Sequence, residues 1–480
     1  MGWRGRGWWG GAVGMMVLAG CATNPATGKS ELMLVSEGQE IAMGQQGAKE
    51  TLASMPLYPD SASQRLVRSI GMRMAAASER PQLPWNFYLL DDAAVNAFAY
   101  PGGQIFVTRG LMTYLNSEAE LAGVIGHEVG HVTARHTARQ MSNAQLAQVG
   151  LMAGALASRT VAGMVGGLSQ GLQLLFLKFG RDDELQADEL GFRYARRTDY
   201  DVREIPRTFV TLGRVSGAAG ARLPEWQSTH PDPDRRAQRA AARADSVTVP
   251  GNAVANRDGY LQLLRGMVFG DDPRQGYFRA NRFIHPNLGF ELTFPAGWRT
   301  QNQPAAVIGV PESQNAVIQL ALGGKEAPAT LAQQFFAQQG VQVVTRPQAT
   351  DINGLPASYG EFSASTEQGQ LAGGVAYIRH GDLTYRIFGY APAANWAQFR
   401  PIIREAARSF RPVTDRALLG VTPQTIELVK LPRDMSTDAF LQQYPSTASD
   451  ETVLIVNGLD PDDRLRAGQL VKRIVGGVGR

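Results

Sequence analysis

Among 480 residues there is one cysteine, Cys21. A single thiol closes no disulfide within the chain, so no covalent framework holds the fold, and pairing reveals nothing about the redox compartment. An excess of one charge is also lacking. The formal net charge is +4. Residues 1–20 carry Arg4 and Arg6 of that excess, and without them about +2 remains, too little to argue for nucleic acid. There is no basic stripe with interleaved aromatics either. Beyond residue 20 no apolar run reaches the ~20 residues a spanning helix needs. The best candidate, Thr160 to Leu177, is uncharged but broken by Ser169, Gln170, Gln173 and several glycines. Histidine is scarce, with six in the chain, yet three fall between positions 127 and 136.

What is present begins at the N-terminus. Met1 to Arg6 is short and basic, Trp8 to Leu18 is apolar and Gly-rich, and Leu18-Ala19-Gly20-Cys21 follows. That order reads as a secretory signal. Its ending resembles a bacterial lipobox, which implies lipidation of Cys21 and cleavage before it. By the same analogy Ala22, standing where Asp would retain the inner membrane, favours the outer membrane.

A length of 480 residues suits two or three domains rather than one core. Asn24 to Lys29 reads as a polar tether. Leu66, Val67, Ile70 and Met74 share helical spacing. Trp85 to Leu90 alternates as a strand, and Pro101-Gly102-Gly103 marks a turn before the strand-like Gln104-Ile105-Phe106-Val107. Ser117 and Glu120 form a capping-box pattern that opens a predicted helix to Arg139. A second helix is predicted over Glu184 to Arg197.

His127-Glu128-Val129-Gly130-His131 lies on the first of these helices. Positions i and i+4 share a helical face, so both imidazoles can reach one Zn²⁺ at ~2.0–2.1 Å. Glu128 falls beside them, placed to act as a base rather than a ligand. A catalytic zinc needs a third protein ligand. His136 stands about 180° round the helix from His127 and joins only if the helix breaks; otherwise it is a structural or surface histidine. A metzincin reading needs Gly at 134 and His at 137, where the chain has Ala134 and Thr137. Glu184-Leu185-Gln186-Ala187-Asp188 offers a carboxylate ligand, with Asp188 able to orient an imidazole. The same acids equally suit a helix N-terminus, and spacing alone leaves both readings open.

Together these motifs resemble the HtpX and CAAX-prenyl-protease type of gluzincin, in its periplasmic lipoprotein branch. His-Glu-x-x-His at 127–131 and Glu-x-x-Ala-Asp at 184–188 match the family pattern. Asn96-Ala97-Phe98-Ala99 with Pro101-Gly102-Gly103, Ser228-Thr229-His230-Pro231 with Arg236, and Asn24-Pro25-Ala26-Thr27-Gly28 with Leu34-Val35-Ser36-Glu37 resemble further family segments in the same order. The resemblance covers roughly residues 24–245, and the membrane helices of the integral-membrane members are missing. It implies one Zn²⁺ per chain on His127, His131 and Glu184, with Glu128 as general base and Asp188 and Arg236 supporting the ligands. It also implies that His230 assists the oxyanion, or approaches the zinc and holds the enzyme latent. Gln104, Ile105, Phe106 and Val107 offer a strand for an extended peptide to pair with. Met152 to Gly167, rich in Gly and Ala, reads either as a movable lid or as close helix packing.

After residue 245 the pattern changes. A connecting region, 246–286, leads to strands at Phe290 to Phe294, Val317 to Leu322, Ser358 to Phe362 and Val375 to Tyr390, with helices at Thr330 to Gln339 and Trp396 to Phe410. The segment from Val453 to Leu470 resembles a degenerate LysM module, which implies peptidoglycan glycan as a partner; a small α/β cap reads equally well. The expected fold is α+β. A signal peptide at 1–20 and a lipidated tether at 21–48 precede a mainly helical zincin-type domain with a small sheet at 49–245. An α/β domain at 287–415 and a LysM-like module at 422–475 follow. The expected function is a lipid-anchored zinc endopeptidase for unfolded or misassembled envelope proteins. The rivals are a chaperone-like or scaffold lipoprotein with a latent zinc site, and a peptidoglycan-binding protein with structural zinc. A structural site needs no base beside it, so Glu128 argues against the last.

Overall fold

A computed structural model describes residues 21–144, 179–218, 230, 232–303, 305–366 and 369–477. The signal sequence expected at 1–20 and the Gly/Ala-rich segment at 152–167 lie outside them. Two units are present: residues 1–270 with 425–475, and residues 271–424 with 476–480.

The first unit is built round one helix. Ser117 caps α4 (Glu118–Thr133), its hydroxyl accepting from Glu120 N–H. The Glu120 carboxylate reaches past the cap to accept from Asn116 N–H at 2.8 Å, so two donors at the helix start are satisfied. Every residue of α4 is buried, including Glu118, Glu120, His127, Glu128 and His131. Among the described residues three further helices precede it. They are α1 (Glu37–Ser54), α2 (Ser61–Ala76) and the short α3 (Arg109–Tyr114). A three-stranded sheet of β3 (Asn86–Leu90), β4 (Ala97–Tyr100) and β5 (Gln104–Thr108) packs with them, and α5 (Arg181–Arg197), α6 (Ile205–Ala218), α7 (Pro233–Asp245) and α8 (Arg257–Leu264) complete the helical part.

The strand order is β3-β5-β4, with β3 parallel and β4 antiparallel to β5. This corrects one expectation. Gln104, Ile105, Phe106 and Val107 lie on the middle strand, fully buried, and both their edges are taken, so no incoming peptide can pair there. The alternation marked a strand but not its neighbours.

The expected tether is also corrected. β1 (Cys21–Thr23) pairs with β2 (Ser30–Leu32), and α1 begins well before residue 49. Asn24 Nδ2 donates to Ala134 O at the end of α4. Buried Arg80 bridges the same region, pairing with Glu37 and Glu40 and donating to Val132 O at 3.0 Å. Arg135 Nε reaches Glu40 at 2.8 Å. Polar residues that read as solvated thus hold the N-terminal segment to the end of the central helix.

The C-terminal module belongs to this unit. β17 (Gln424–Lys430) pairs with β20 (Leu470–Gly476), and β18 (Met435–Ser436) with β19 (Arg464–Leu465). Two helices, written α11 (Thr437–Gln443) and α12 (Asp450–Asn457), lie between. Ile426, Leu428, Val456, Leu470 and Ile474 share one core with the peptidase-side residues Leu115, Leu121 and Ile125. Lys472 is fully buried, and its Nζ donates to Thr113 O and Leu115 O, both at 2.9 Å. The segment expected as a LysM-like module at 422–475 keeps a small core of its own, with Leu431, Met435, Phe440 and Val453, and also packs on the first core.

The expected connecting region is divided between the units. α8 joins the first core through Tyr260, Leu261 and Leu264, whereas β6 (Tyr277–Arg279) and β7 (Arg282–His285) belong to the second unit. There β6 and β7 form a four-stranded sheet with β8 (Phe290–Thr293) and β16 (Arg411–Pro412). A seven-stranded antiparallel sheet runs in the order β12 (Val341–Ile352), β13 (Leu355–Thr366), β14 (Gly369–His380), β15 (Leu383–Pro392), β11 (Val317–Gly324), β10 (Ala306–Val310) and β9 (Arg299–Gln303). The helices α9 (Pro328–Phe336) and α10 (Trp396–Arg408) flank it, close to their expected spans.

Candidate metal centre

Two helices build the site. α4 carries His127, Glu128 and His131, and α5 carries Glu184 and Asp188. They approach closely because small residues face each other. A Cβ on Gly191 would lie 2.7 Å from His127 N and 2.9 Å from Gly126 C, and one on Gly130 would lie 3.0 Å from Ala187 O. Glycine there is required by backbone contact.

One ligand atom from each of His127, His131, Glu184 and His230 lies within 4.8 Å of all the others, and all four residues are buried. His127 Nε2 and His131 Nε2 are 3.0 Å apart. Glu184 lies 3.5 Å from the first and 3.4 Å from the second. His230 Nδ1 is 3.1 Å from both Glu184 oxygens.

The hydrogen-bond network fixes the tautomers. His127 Nδ1 is 2.8 Å from Asp188 Oδ1. A carboxylate only accepts, so Nδ1 carries the proton and Nε2 keeps a lone pair. Arg236 Nη2 also comes within 3.2 Å of that Nδ1, but a protonated nitrogen cannot accept, and the guanidinium already has Asp188 at 2.6 Å and Glu184 at 3.1 Å. His136 Nε2 donates to Gln186 Oε1 at 2.9 Å, so its Nδ1 accepts from His131 Nδ1–H, also at 2.9 Å. His131 therefore also turns a bare Nε2 toward His127. Two lone pairs and a carboxylate facing one another in a buried place call for a cation. A tetrahedral zinc with ~2.0–2.1 Å bonds separates two nitrogens by about 3.3 Å, close to the spacing found. The donor set fits zinc.

Titration behaviour follows from the same contacts. Burial, then the Arg236 charge, pushes His127 down to about 4 against the opposing pull of Asp188. Burial likewise holds His136 well below its ordinary value, with His131 adding to it. Burial alone would lift Glu184, but His230 and His131 outweigh it and hold the carboxyl well below the usual range. Burial would lower His230; Glu184 first, and Glu128 behind it, reverse that and leave it raised. Asp188 is held low because Arg236 overcomes the cost of burial.

Glu128 stands apart from the donors. Its Oε1 is buried without a hydrogen-bond partner among the described residues and lies 3.6 Å from His230 Nε2. An unpartnered buried carboxylate oxygen is costly, and it suits a group that handles a proton from a molecule entering the site.

His136 departs from expectation. The predicted helix to Arg139 ends at Thr133, with Ala134 as cap and Arg135 at φ 59°. Residues 136–144 are helical again. That break turns His136 inward, fully buried, against His131. It stays outside the donor cluster and orients His131, as Asp188 orients His127. Gln186, which fixes its tautomer, was also missed. Neither Ala134 nor Arg135 signals a left-handed break; the Arg135 bonds to Glu40 and to Val35 O sustain it. Phe179 stacks on the His131 ring at 4.1 Å.

The model of peptidase family M48 matches residues 61–244, a span that contains every residue of this site. A Yersinia pestis protein named beta-barrel assembly-enhancing protease is 32% identical over 258 residues, covering 52% of this chain and 53% of that protein. Its namesake in Escherichia coli (strain K12) is 31% identical over 255 residues, covering 51% of each. The mitochondrial metalloendopeptidase OMA1 of Arabidopsis thaliana is 31% identical over 212 residues, covering 44% of this chain and 41% of that protein. The chain thus spans about half the length of the first curated relatives it matches.

Proposed function

We propose, from the premise that residues 61–244 form a zinc-dependent peptidase family M48 domain, that this chain is a metalloendopeptidase acting on protein substrates. The observation that carries this reading is the buried convergence of His127, His131 and Glu184, with the unpartnered Glu128 oxygen beside it.

His127, His131 and Glu184 would hold the zinc. Bound there, zinc supplies Lewis acidity, polarising a scissile carbonyl and bringing the pKa of water toward ~7. Glu128 takes the proton of the attacking water and returns it to the leaving amine. Asp188 and His136 keep each ligating imidazole in the tautomer that presents Nε2. His230, which lies within reach of the donors, offers a ring N–H to the developing oxyanion. Extended substrate pairs with β4, whose Ala97–Tyr100 backbone has β5 as its only strand neighbour among the described residues; this recognises main chain more than side chain. Substrates of that kind are unfolded or misassembled envelope proteins, reached from a lipid anchor at Cys21 on the periplasmic side of the outer membrane. The bacterial relatives carry the name beta-barrel assembly-enhancing protease.

A second reading rests on the fourth donor. His230 sits within the cluster and not merely near it, and a site with four protein ligands is closed. The enzyme would then be latent until His230 withdraws, or serve as a chaperone-like lipoprotein tethered to peptidoglycan through the C-terminal module. Casein cleavage by wild type, Glu128→Gln and His230→Ala, with and without chelator, separates these readings. The peptidase reading expects about 10²–10⁴-fold loss in Glu128→Gln and none left under chelation; equal cleavage by wild type and Glu128→Gln sinks it. Latency expects His230→Ala to cleave faster than wild type. Zinc-loaded protein that cleaves in no form supports the chaperone reading.

A further inference from the structure

A cavity of about 500 Å³ lies among α4, α5, α6 and α7. His127, Asp188 and Arg236 form part of its wall; Glu128, His131, Glu184 and His230 do not. The remaining wall is largely carbon, from Leu185, Phe192, Ile205, Phe209 and Ala240. The volume is within the ~300–1,000 Å³ of small-molecule sites, which pair apolar walls with a few polar groups.

The charges are unevenly matched. Arg236 pairs with Asp188. Arg243 pairs with Glu189 and stands over the Phe192 ring. Arg239 also lines the cavity, is exposed, and has no hydrogen-bond or ion-pair partner among the described residues. One unmatched cation therefore stands against an apolar interior. The walls are helices, whose interior amides already bond along their own axes. Phe192, Phe209 and Ala240 lie within helices and present side chains to the cavity, so an occupant with polar atoms along its length would leave most of them unpaired there. An occupant charged at one end and apolar elsewhere would not.

We propose that this cavity binds the carboxylate of a medium-chain fatty acid, its head on Arg239 and its chain against Phe192, Ile205 and Phe209. The cavity adjoins the metal centre at His127, Asp188 and Arg236, and its test does not require that the chain cleave peptides.

Calorimetric titration of the full chain with hexanoate, octanoate and decanoate tests it. Affinity should rise about fourfold for each added methylene. Arg239→Glu should weaken decanoate about tenfold or more while leaving decanol binding unchanged. Ala240→Trp, which fills the interior, should weaken both. Thermal unfolding midpoints of the two variants serve as the check that they fold. Affinity independent of chain length, equal decanoate binding by wild type and Arg239→Glu, or no binding to folded wild type would overturn the assignment. Displacement of decanoate by a blocked, uncharged peptide with a large apolar side chain would also overturn it, by giving the cavity to substrate side chains.

Discussion

Replacing Asp188 with Asn tests whether the second carboxylate acts through His127. Three donors converge on it: His127 Nδ1 at 2.8 Å, Arg236 Nε at 2.8 Å and Arg236 Nη2 at 2.6 Å. The amide keeps one acceptor, brings an N–H toward a guanidinium, and loses the charge. A hydrogen bond to a charged group contributes about 1.5–3 kcal/mol, against about 0.5–1.5 for a neutral one. The weakened His127 contact alone therefore accounts for roughly 1–2 kcal/mol of zinc binding. Arg236, released on one side, turns further toward Glu184 Oε2, already 3.1 Å away, and competes for the carboxylate that would hold the metal. The two effects together place the loss of zinc affinity at about 10–100-fold, the usual range for such orienting partners. Competition against a chromophoric chelator measures it, with far-UV circular dichroism confirming that the variant folds. The pH dependence discriminates causes. Metal-free His127 titrates near 4, so above pH 5 protons do not compete for it, and the deficit should stay constant from pH 5 to 8. An affinity within twofold of wild type, or a deficit that vanishes as pH rises, would refute the orienting role.

Gly191→Ala pushes a methyl group into the His127 and Gly126 backbone; it should cost about 1–3 kcal/mol in unfolding experiments and weaken zinc binding further, because separating the helices parts Glu184 from the imidazoles. Lys472→Met leaves the carbonyls of Thr113 and Leu115 unpaired, a loss of about 2–4 kcal/mol visible as a lower midpoint for the peptidase-side transition in urea; an unchanged midpoint would mean the C-terminal module contributes nothing there. Glu120 is pushed up to about 7, by burial first, with Asn116 N–H opposing, Glu204 adding and Lys472 opposing. A raised carboxyl contributes stability that is present below its unfolded value near 4.3 and is lost as pH rises through about 7. Wild type should therefore lose up to about 3 kcal/mol relative to Glu120→Gln between pH 4.5 and 7, measured as the difference between their denaturation curves.

The parts of the site legible in the sequence are those governed by local geometry. His127 and His131 share a face because helical spacing requires it, and Ser117 marks the helix start because its hydroxyl serves a donor three residues on. Glu184 was ambiguous, since an acid at a helix start needs no metal. What distinguishes it is Gly191 against Gly126 and His127, a contact between helices more than 60 positions apart in the chain. His136 shows the limit more sharply. A regular helix places it opposite His127, and the regular helix fails at Arg135, a residue with no intrinsic preference for positive φ. The compensation comes from Glu40 and the Val35 carbonyl, in a segment that composition alone describes as a loose tether. Those same bonds carry His136 to His131, so the tautomer of a metal-facing imidazole depends on the N-terminal segment. Glu40→Gln, far from the metal in sequence, should thus weaken zinc through His131 while leaving the His127–Asp188 contact intact, and combined with Asp188→Asn the loss should exceed that of either variant alone without being their simple sum, because both imidazoles serve one metal.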